Sequence, residues 1–169
     1  PHKSSAGGVA LNLTGRDEVV TSFDTIIQNI KNNHPTASID GILVQKMVEP
    51  GLEIILGITN KDGFGPILMV GFGGTSVEAS GDVAFALCPV TPKKSENLLE
   101  ALKGSILLDK ERYDLPALVR LMTTLSSFAI SVRHLISEID LNPVILHSPG
   151  NGISVVDALM VKFDETSKR

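Results

Sequence analysis

The run Ser137-Glu-Ile-Asp-Leu-Asn-Pro-Val-Ile-Leu146 leads into Ser148-Pro149-Gly150-Asn151-Gly152. The chain then returns through Ile153-Ser-Val-Val-Asp-Ala-Leu-Met-Val161. Two aliphatic, β-branched runs around a Pro/Gly/Asn cluster read as a β-hairpin. Strand side chains alternate between faces, so Asp140 and Asn142 share one face. Folding about the turn brings Asp157 opposite or nearly opposite Asn142. Two carboxylates and an amide oxygen then converge, flanked by apolar Ile139, Leu141, Val155 and Val156. Hard oxygen donors suit Mg²⁺, which takes one or two carboxylates and leaves its other positions to water and phosphate. The same pattern also suits two aspartates solvated on the polar face of an edge hairpin.

Upstream, Ile42–Val48, Leu52–Ile58, Ile67–Phe72 and Val83–Leu87 read as strands, with turns at Pro50-Gly51 and Asn60-Lys61-Asp62-Gly63. Val9–Leu13 alternates as a half-buried strand does. Asp17–Asn32 is a helix: Val20, Phe23, Ile27 and Ile30 recur at three- and four-residue steps, and His34-Pro35 ends it. Thr91-Pro92 opens a second helix with Leu98, Leu99 and Leu102 on its apolar face. Asp114 caps a third, with Leu118, Leu121, Leu125 and Phe128 along one stripe. Helices beside a largely antiparallel sheet make the chain α+β.

Composition narrows the function. The chain has 169 residues, enough for one domain, and is 43% hydrophobic and 20% charged. A net charge of −4 without a Lys/Arg block argues against nucleic-acid binding. No apolar run approaches the ~20 residues that cross a membrane. One cysteine, Cys88, leaves no intrachain disulfide and too few thiols for a cysteine-based zinc site. It sits in an apolar strand and reads as an inert thiol; His34, His134 and His147 read as structural. No serine-hydrolase elbow or HExxH motif occurs. Gly71-Phe72-Gly73-Gly74 lets something approach the backbone closely, either phosphates cradled by its N–H groups or nothing more than a bulge or tight bend. These features describe a soluble, cytoplasmic domain.

In sequence order, several pieces resemble one family. They are His2-Lys3, Gly7-Gly8-Val9, Gly41-Ile-Leu-Val-Gln-Lys-Met-Val48, Phe64-Gly65-Pro66 and Gly71-Phe-Gly-Gly74 with Glu78 and Asp82. Glu138-Ile-Asp-Leu-Asn-Pro143 with Asp157 completes the set. Together they resemble the ATP-grasp region of the NDP-forming acyl-CoA synthetases, the ADP-forming acetate–CoA ligases related to succinyl-CoA synthetase. The resemblance implies an ATP-grasp domain over residues 1–161, incomplete at its N-terminal side, while the charged end Asp164-Glu-Thr-Ser-Lys-Arg169 reads as part of a frayed tail at 162–169.

It also implies a reaction in which acid, CoA and ATP give acyl-CoA, ADP and phosphate through an acyl phosphate and a phosphohistidine. Asp140, Asn142 and Asp157 would form the Mg²⁺–phosphate cluster. Gln45, Lys46, Met47 and Val48 would be the hinge that binds adenine, and Glu53 would hold the ribose. Gly7 and Gly8 would cover the phosphates of ATP or ADP, Lys3 would contact nucleotide, and His2 would take part in phosphoryl relay. The partners implied are the CoA-binding and ligase domains or subunit of the same enzyme. Without them the fragment would be inactive, and a bare apolar patch would favour self-association.

The sequence also departs from the family pattern. Lys46 replaces a usual Glu, Ala86 stands where many members carry Arg, and Asp109-Lys110-Glu111-Arg112 replaces a Gly-x-Arg-Gly element. These departures keep a second reading open: a non-catalytic regulatory domain of the same ancestry, as fused to protein lysine acetyltransferases.

Overall fold

A computed structural model describes residues 7–61, 63–74 and 81–163. The chain divides into two compact units, Pro1–Met47 and Val48–Arg169. The first contains helix α1 (Arg16–Asn33). Asp17 and Glu18 lie in its first turn, and the Glu18 carboxylate accepts from the Thr14 backbone N–H at 2.7 Å and closes that turn. At its far end the His34 N–H donates to the Ile30 carbonyl at 2.8 Å, so this histidine ends the helix as the sequence suggests.

Two expected strands are absent from this region. Residues 9–13 and 41–51 carry no strand assignment. Alternation makes a run compatible with a sheet, but backbone polar groups still need a partner ladder, and no described strand pairs with either run. Asn12, at φ 60°, also breaks the extended backbone of the first run.

The second unit is built on β1 (Leu52–Lys61), β2 (Gly65–Phe72), β3 (Val83–Leu87), β4 (Ile136–Leu146), β5 (Ile153–Val155) and β6 (Ala158–Lys162). The sheet order is β3-β2-β1-β4-β5, with β6 also on β4, and every pairing is antiparallel. Helices α2 (Pro92–Glu100) and α3 (Leu115–Ser131) pack on one face. There Ile54, Leu56, Ile58, Leu68, Val70, Ile139 and Leu141 meet Leu98, Leu99, Leu102, Leu118, Met122 and Leu125. The core stripe of α3 is rotated from the expected one. Met122 and Ala129 are buried, whereas Leu121 is half-buried and Phe128 exposed.

Both helix starts carry the caps the sequence suggests. The Thr91 hydroxyl accepts from the Lys94 N–H at 3.2 Å. Asp114 does more than cap. One carboxylate oxygen accepts from the Ala117 N–H at 3.0 Å; the other accepts from Gly150 and Gly152, each at 3.1 Å. This side chain therefore fastens the β4–β5 turn to the start of α3. The Ala117 N–H is the main cause that holds its carboxyl below the usual aspartate range, against opposing desolvation; Gly152, Gly150 and the Arg120 charge add to the lowering. A lowered folded-state pKa gives stability that is present above the unfolded value, about 3.9, and is lost as pH falls through the folded one. Asp114→Asn should therefore lower the melting temperature at neutral pH and flatten its fall below about pH 4. An unchanged acid limb in thermal unfolding would contradict this.

Candidate functional site

The hairpin forms, with one change. Its return strand is broken at Val156-Asp157 into β5 and β6, and β4 is irregular at the same level. Ile54 pairs with Val144 and Leu56 with Leu141, so Asn142 and Pro143 together oppose the single residue Ile55. Pro143 has no N–H to give to a ladder, which favours a bulge at that point. Across the gap the Asn142 N–H donates to the Asp157 carbonyl at 3.2 Å, and the Val156 N–H donates to the Pro143 carbonyl at 3.0 Å. The structure thus sets Asn142 and Asp157 side by side at a break in the sheet, with Asp140 two residues along β4. Asp140 and Asn142 are half-buried and Asp157 is exposed. One Asp157 carboxylate oxygen accepts from the Ala158 N–H at 3.1 Å.

Cross-strand partners show what lies beside this break. Phe85 pairs with Met69, Met69 with Gly57, Gly57 with Asp140, and Asp140 with Leu159. Paired residues share a face, so this row crosses the whole sheet on the side away from α2 and α3. The next row runs Leu87, Ile67, Thr59, Glu138, Val161. A cleft of about 350 Å³ opens here, lined by Gly57, Thr59, Ile67, Met69, Phe85, Glu138 and Asp140 among others. Sequence reasoning missed it. The available signal was Gly57 itself, a glycine in the middle of an otherwise aliphatic strand. Phe85 and Leu87 on this face are each 58% exposed.

The other expected site residues divide between the two units. In the first, the Gly7 carbonyl accepts from the Asn29 side-chain amide at 3.3 Å, and Gly8 is half-buried. Gln45, Lys46 and Met47 are exposed and lie in the run without strand assignment. In the second, Val48 is half-buried and Glu53 lies on β1 opposite Ile145. The Glu53 carbonyl accepts from the Gly73 N–H at 2.8 Å, so the Gly71–Gly74 run packs closely on β1. His2, Lys3 and Glu78 lie outside the described residues, as do 164–169 of the expected tail.

Three further residues acquire definite places. Asp82 accepts from the Lys103 and Gly104 N–H groups at 2.9 and 2.8 Å and pins the loop after α2. Ala86 pairs with Leu68 and is buried on the helix-covered face. Position 86 thus lies on the opposite face of the sheet from Asp140. His147 hydrogen-bonds Ser154 across the hairpin at 2.8 Å.

Cys88 is partly buried, and desolvation pushes its thiol up to about 11, opposed by a hydrogen bond involving the Leu68 backbone. A thiol so raised stays protonated at neutral pH and is a poor nucleophile. We expect a colorimetric disulfide reagent at pH 8 to label the native thiol at least about tenfold more slowly than the denatured one. Equal rates would contradict this. The thiol's share of stability is intact below about pH 8.5 and is lost as pH rises toward 11.

Among the described residues, no group of three or more His, Cys, Asp or Glu comes together, and no helix is long and apolar enough to cross a membrane. The donors at the hairpin are two carboxylates and an amide, all oxygen. An antiparallel sheet with helices on one face and an acid-bearing cleft on the other defines a binding lobe of the α+β class.

The ATP-grasp domain profile matches residues 1–161, and the chain belongs to that family. It is 39% identical over 159 residues to an ADP-forming 4-hydroxybutyrate–CoA ligase of Nitrosopumilus maritimus, covering 92% of this chain and 23% of that one. It is 34% identical over 164 residues to the β subunit of ADP-forming acetate–CoA ligase II of Pyrococcus furiosus, covering 95% and 70%. A dinucleotide-forming acetyl-coenzyme A synthetase 1 of Ca. Korarchaeum cryptofilum superposes with a TM-score of 0.79 at 34% identity, over 96% of this chain and 71% of that one. That protein was solved with coenzyme A and Mg-AMPPCP, its phosphohistidine segment pointing towards the nucleotide binding site. The chain thus spans about a quarter of the single-chain ligase and 70% of the β subunit.

Proposed function

We propose that this chain is the nucleotide-binding, phosphoryl-transfer part of an ADP-forming acyl-CoA synthetase working in the cytoplasm. The complete enzyme would convert acid, CoA and ATP into acyl-CoA, ADP and phosphate. The observation that carries this reading is the meeting of Asn142 with Asp157 at the sheet break, with Asp140 beside them on the open face. Two carboxylates and an amide fit Mg²⁺, which binds through few protein ligands and fills its shell with water and phosphate oxygens. When bound, such an ion neutralises charge on a transferring phosphoryl group. The protein's part is to hold that group in line and keep it still, which is most of what phosphoryl transfer asks of an enzyme.

Glu53, on the same strand as Gly57, is assigned to the ribose, and Val48 to the adenine. In the first unit, Gly7, Gly8, Gln45, Lys46 and Met47 are assigned to nucleotide contacts by the family resemblance, as are Lys3 and the relay histidine His2. The partners are the CoA-binding and ligase domains or subunit. The exposed apolar side chains of β3 and β6 support self-association of the chain when it is alone.

Calorimetric titration of ADP into the complete enzyme, with and without Mg²⁺, tests the reading. Micromolar binding that depends on Mg²⁺ is expected. No heat in a folded protein would overturn it and favour a regulatory domain that senses another ligand.

A further inference from the structure

A second pocket lies at the end of the sheet where β1 begins and β4 ends. Its volume is about 760 Å³, within the usual range of small-molecule sites, and Pro50, Tyr113 and Leu146 give it an apolar side. Among the described residues, Glu49 and Arg112 are the only Asp, Glu, Lys or Arg on its lining, one of each sign. Neither charge has a partner of opposite sign. Arg112 is instead held over the Tyr113 ring, its Cζ 5.5 Å from the ring centre. Stacking of this kind steadies a guanidinium without using its N–H donors. Arg112 also belongs to the Asp109–Arg112 run, in which this chain departs from the family pattern.

These two charges limit what the pocket can take. An anion drawn to Arg112 is repelled by Glu49, and a cation drawn to Glu49 is repelled by Arg112. A ligand that carries both charges satisfies both, with a carboxylate on the guanidinium fork and an ammonium on the carboxylate. Beside them the Asn151 amide N–H donates to Ser148 Oγ at 2.8 Å, which leaves the Asn151 carbonyl oxygen to accept from that ammonium. Tyr113, Pro50 and Leu146 offer apolar surface to the rest of the molecule. A zwitterionic head on an apolar body describes a free amino acid.

The pocket also bears on the nucleotide run. Glu49 follows Val48, assigned to the adenine, and Gly51 stands two residues before Glu53, assigned to the ribose. The backbone between them has no slack. Gly51 packs so closely on the Leu146 carbonyl that even an added Cβ would overlap it. A ligand seated on Glu49 and Pro50 therefore presses on the segment that joins the two nucleotide contacts.

We propose that this pocket is a regulatory site for a free amino acid with an apolar side chain, held by Arg112 and Glu49. The regulatory part rests on the function proposed above; the binding part does not. By linkage, the amino acid and Mg-ADP change each other's affinity by the same factor.

The test is calorimetric titration of phenylalanine and of leucine into the complete enzyme, alone and with Mg-ADP. A dissociation constant below about 1 mM is expected for at least one of them. Removing either charge from the ligand, as in phenylpropionate and phenylethylamine, should weaken binding about tenfold or more, and so should Arg112→Ala or Glu49→Gln. Both side chains are exposed, so these variants should keep the parent melting temperature. Mg-ADP affinity should change about fivefold or more when the amino acid is present, in the unsubstituted enzyme but not in Arg112→Ala. No heat with either amino acid would overturn the site, as would single-charge analogues that bind equally well. Binding that leaves Mg-ADP affinity unchanged would overturn the regulation. If the enzyme binds no Mg-ADP at all, the functional reading fails, while titration of the amino acid alone still reads the site.

Discussion

Gly51→Ala is expected to destabilise the second unit by about 2–3 kcal/mol, the cost of forcing extra atoms into a packed site. A Cβ at this position would stand 2.2 Å from the Leu146 carbonyl oxygen, 2.7 Å from Ile145 Cγ2 and 3.0 Å from the Leu146 carbonyl carbon. Two of these three atoms are backbone, so no rotamer change can relieve the overlap. Either β1 must move away from β4 where Leu52 pairs with Leu146, or the end of the hairpin must shift. Those two strands share the most extensive packing in the sheet and bury Ile54, Val144 and Leu146. In a chain of this size the loss corresponds to roughly 5–10 °C in melting temperature. Gly57→Ala, on the same strand, is expected not to lower it at all, because an added Cβ there would first meet the flexible Met69 Cε methyl at 3.2 Å. Thermal unfolding of the two variants side by side checks both signs, and a Gly51→Ala protein as stable as the parent would refute the steric account.

The contrast between these glycines shows what the sequence could reveal and what it could not. The hairpin, β1 to β3 and all three helices were legible because period-2 and period-3.6 patterns came bounded by Pro, Gly and capping residues. Val83–Leu87 appears with the bounds read from the pattern. Val9–Leu13 and Ile42–Val48 carried the same alternation and form no strand, because a pattern does not supply a partner. Asp140, Asn142 and Asp157 were legible as neighbours from hairpin geometry. The bulge that sets them apart was less so, although Pro143 in a central strand was its visible cause. The face of position 86 could not be read without the β2–β3 register. The cleft could not be read at all without the cross-strand rows, because its walls come from four strands far apart in sequence.

Asp157→Ala should lower the affinity for Mg-nucleotide by about tenfold or more, since loss of even an outer-shell partner of a metal costs about 10–100-fold. It should leave the melting temperature nearly unchanged. Asp157 is exposed and lies in the break between β5 and β6, where a surface substitution usually changes stability by less than about 0.5 kcal/mol. The decisive comparison is with metal-free ADP. A carboxylate about 5 Å from a phosphate repels it by ~0.8 kcal/mol in water, so removing it should leave metal-free binding unchanged or strengthen it up to about fourfold. The substitution is therefore expected to act in opposite directions with and without Mg²⁺. A merely structural residue would weaken both, and an aspartate simply solvated on an edge would change neither. Asn142→Ala should weaken Mg-nucleotide binding in the same way but without the metal-free gain, because an amide carries no charge to relieve. If the two side chains hold one ion, the double variant should lose less than the sum of the single losses. Calorimetric titration of ADP into the three variants, in Mg²⁺ and in chelator, reads all of these outcomes. Equal weakening of Asp157→Ala under both conditions would remove the metal from the hairpin.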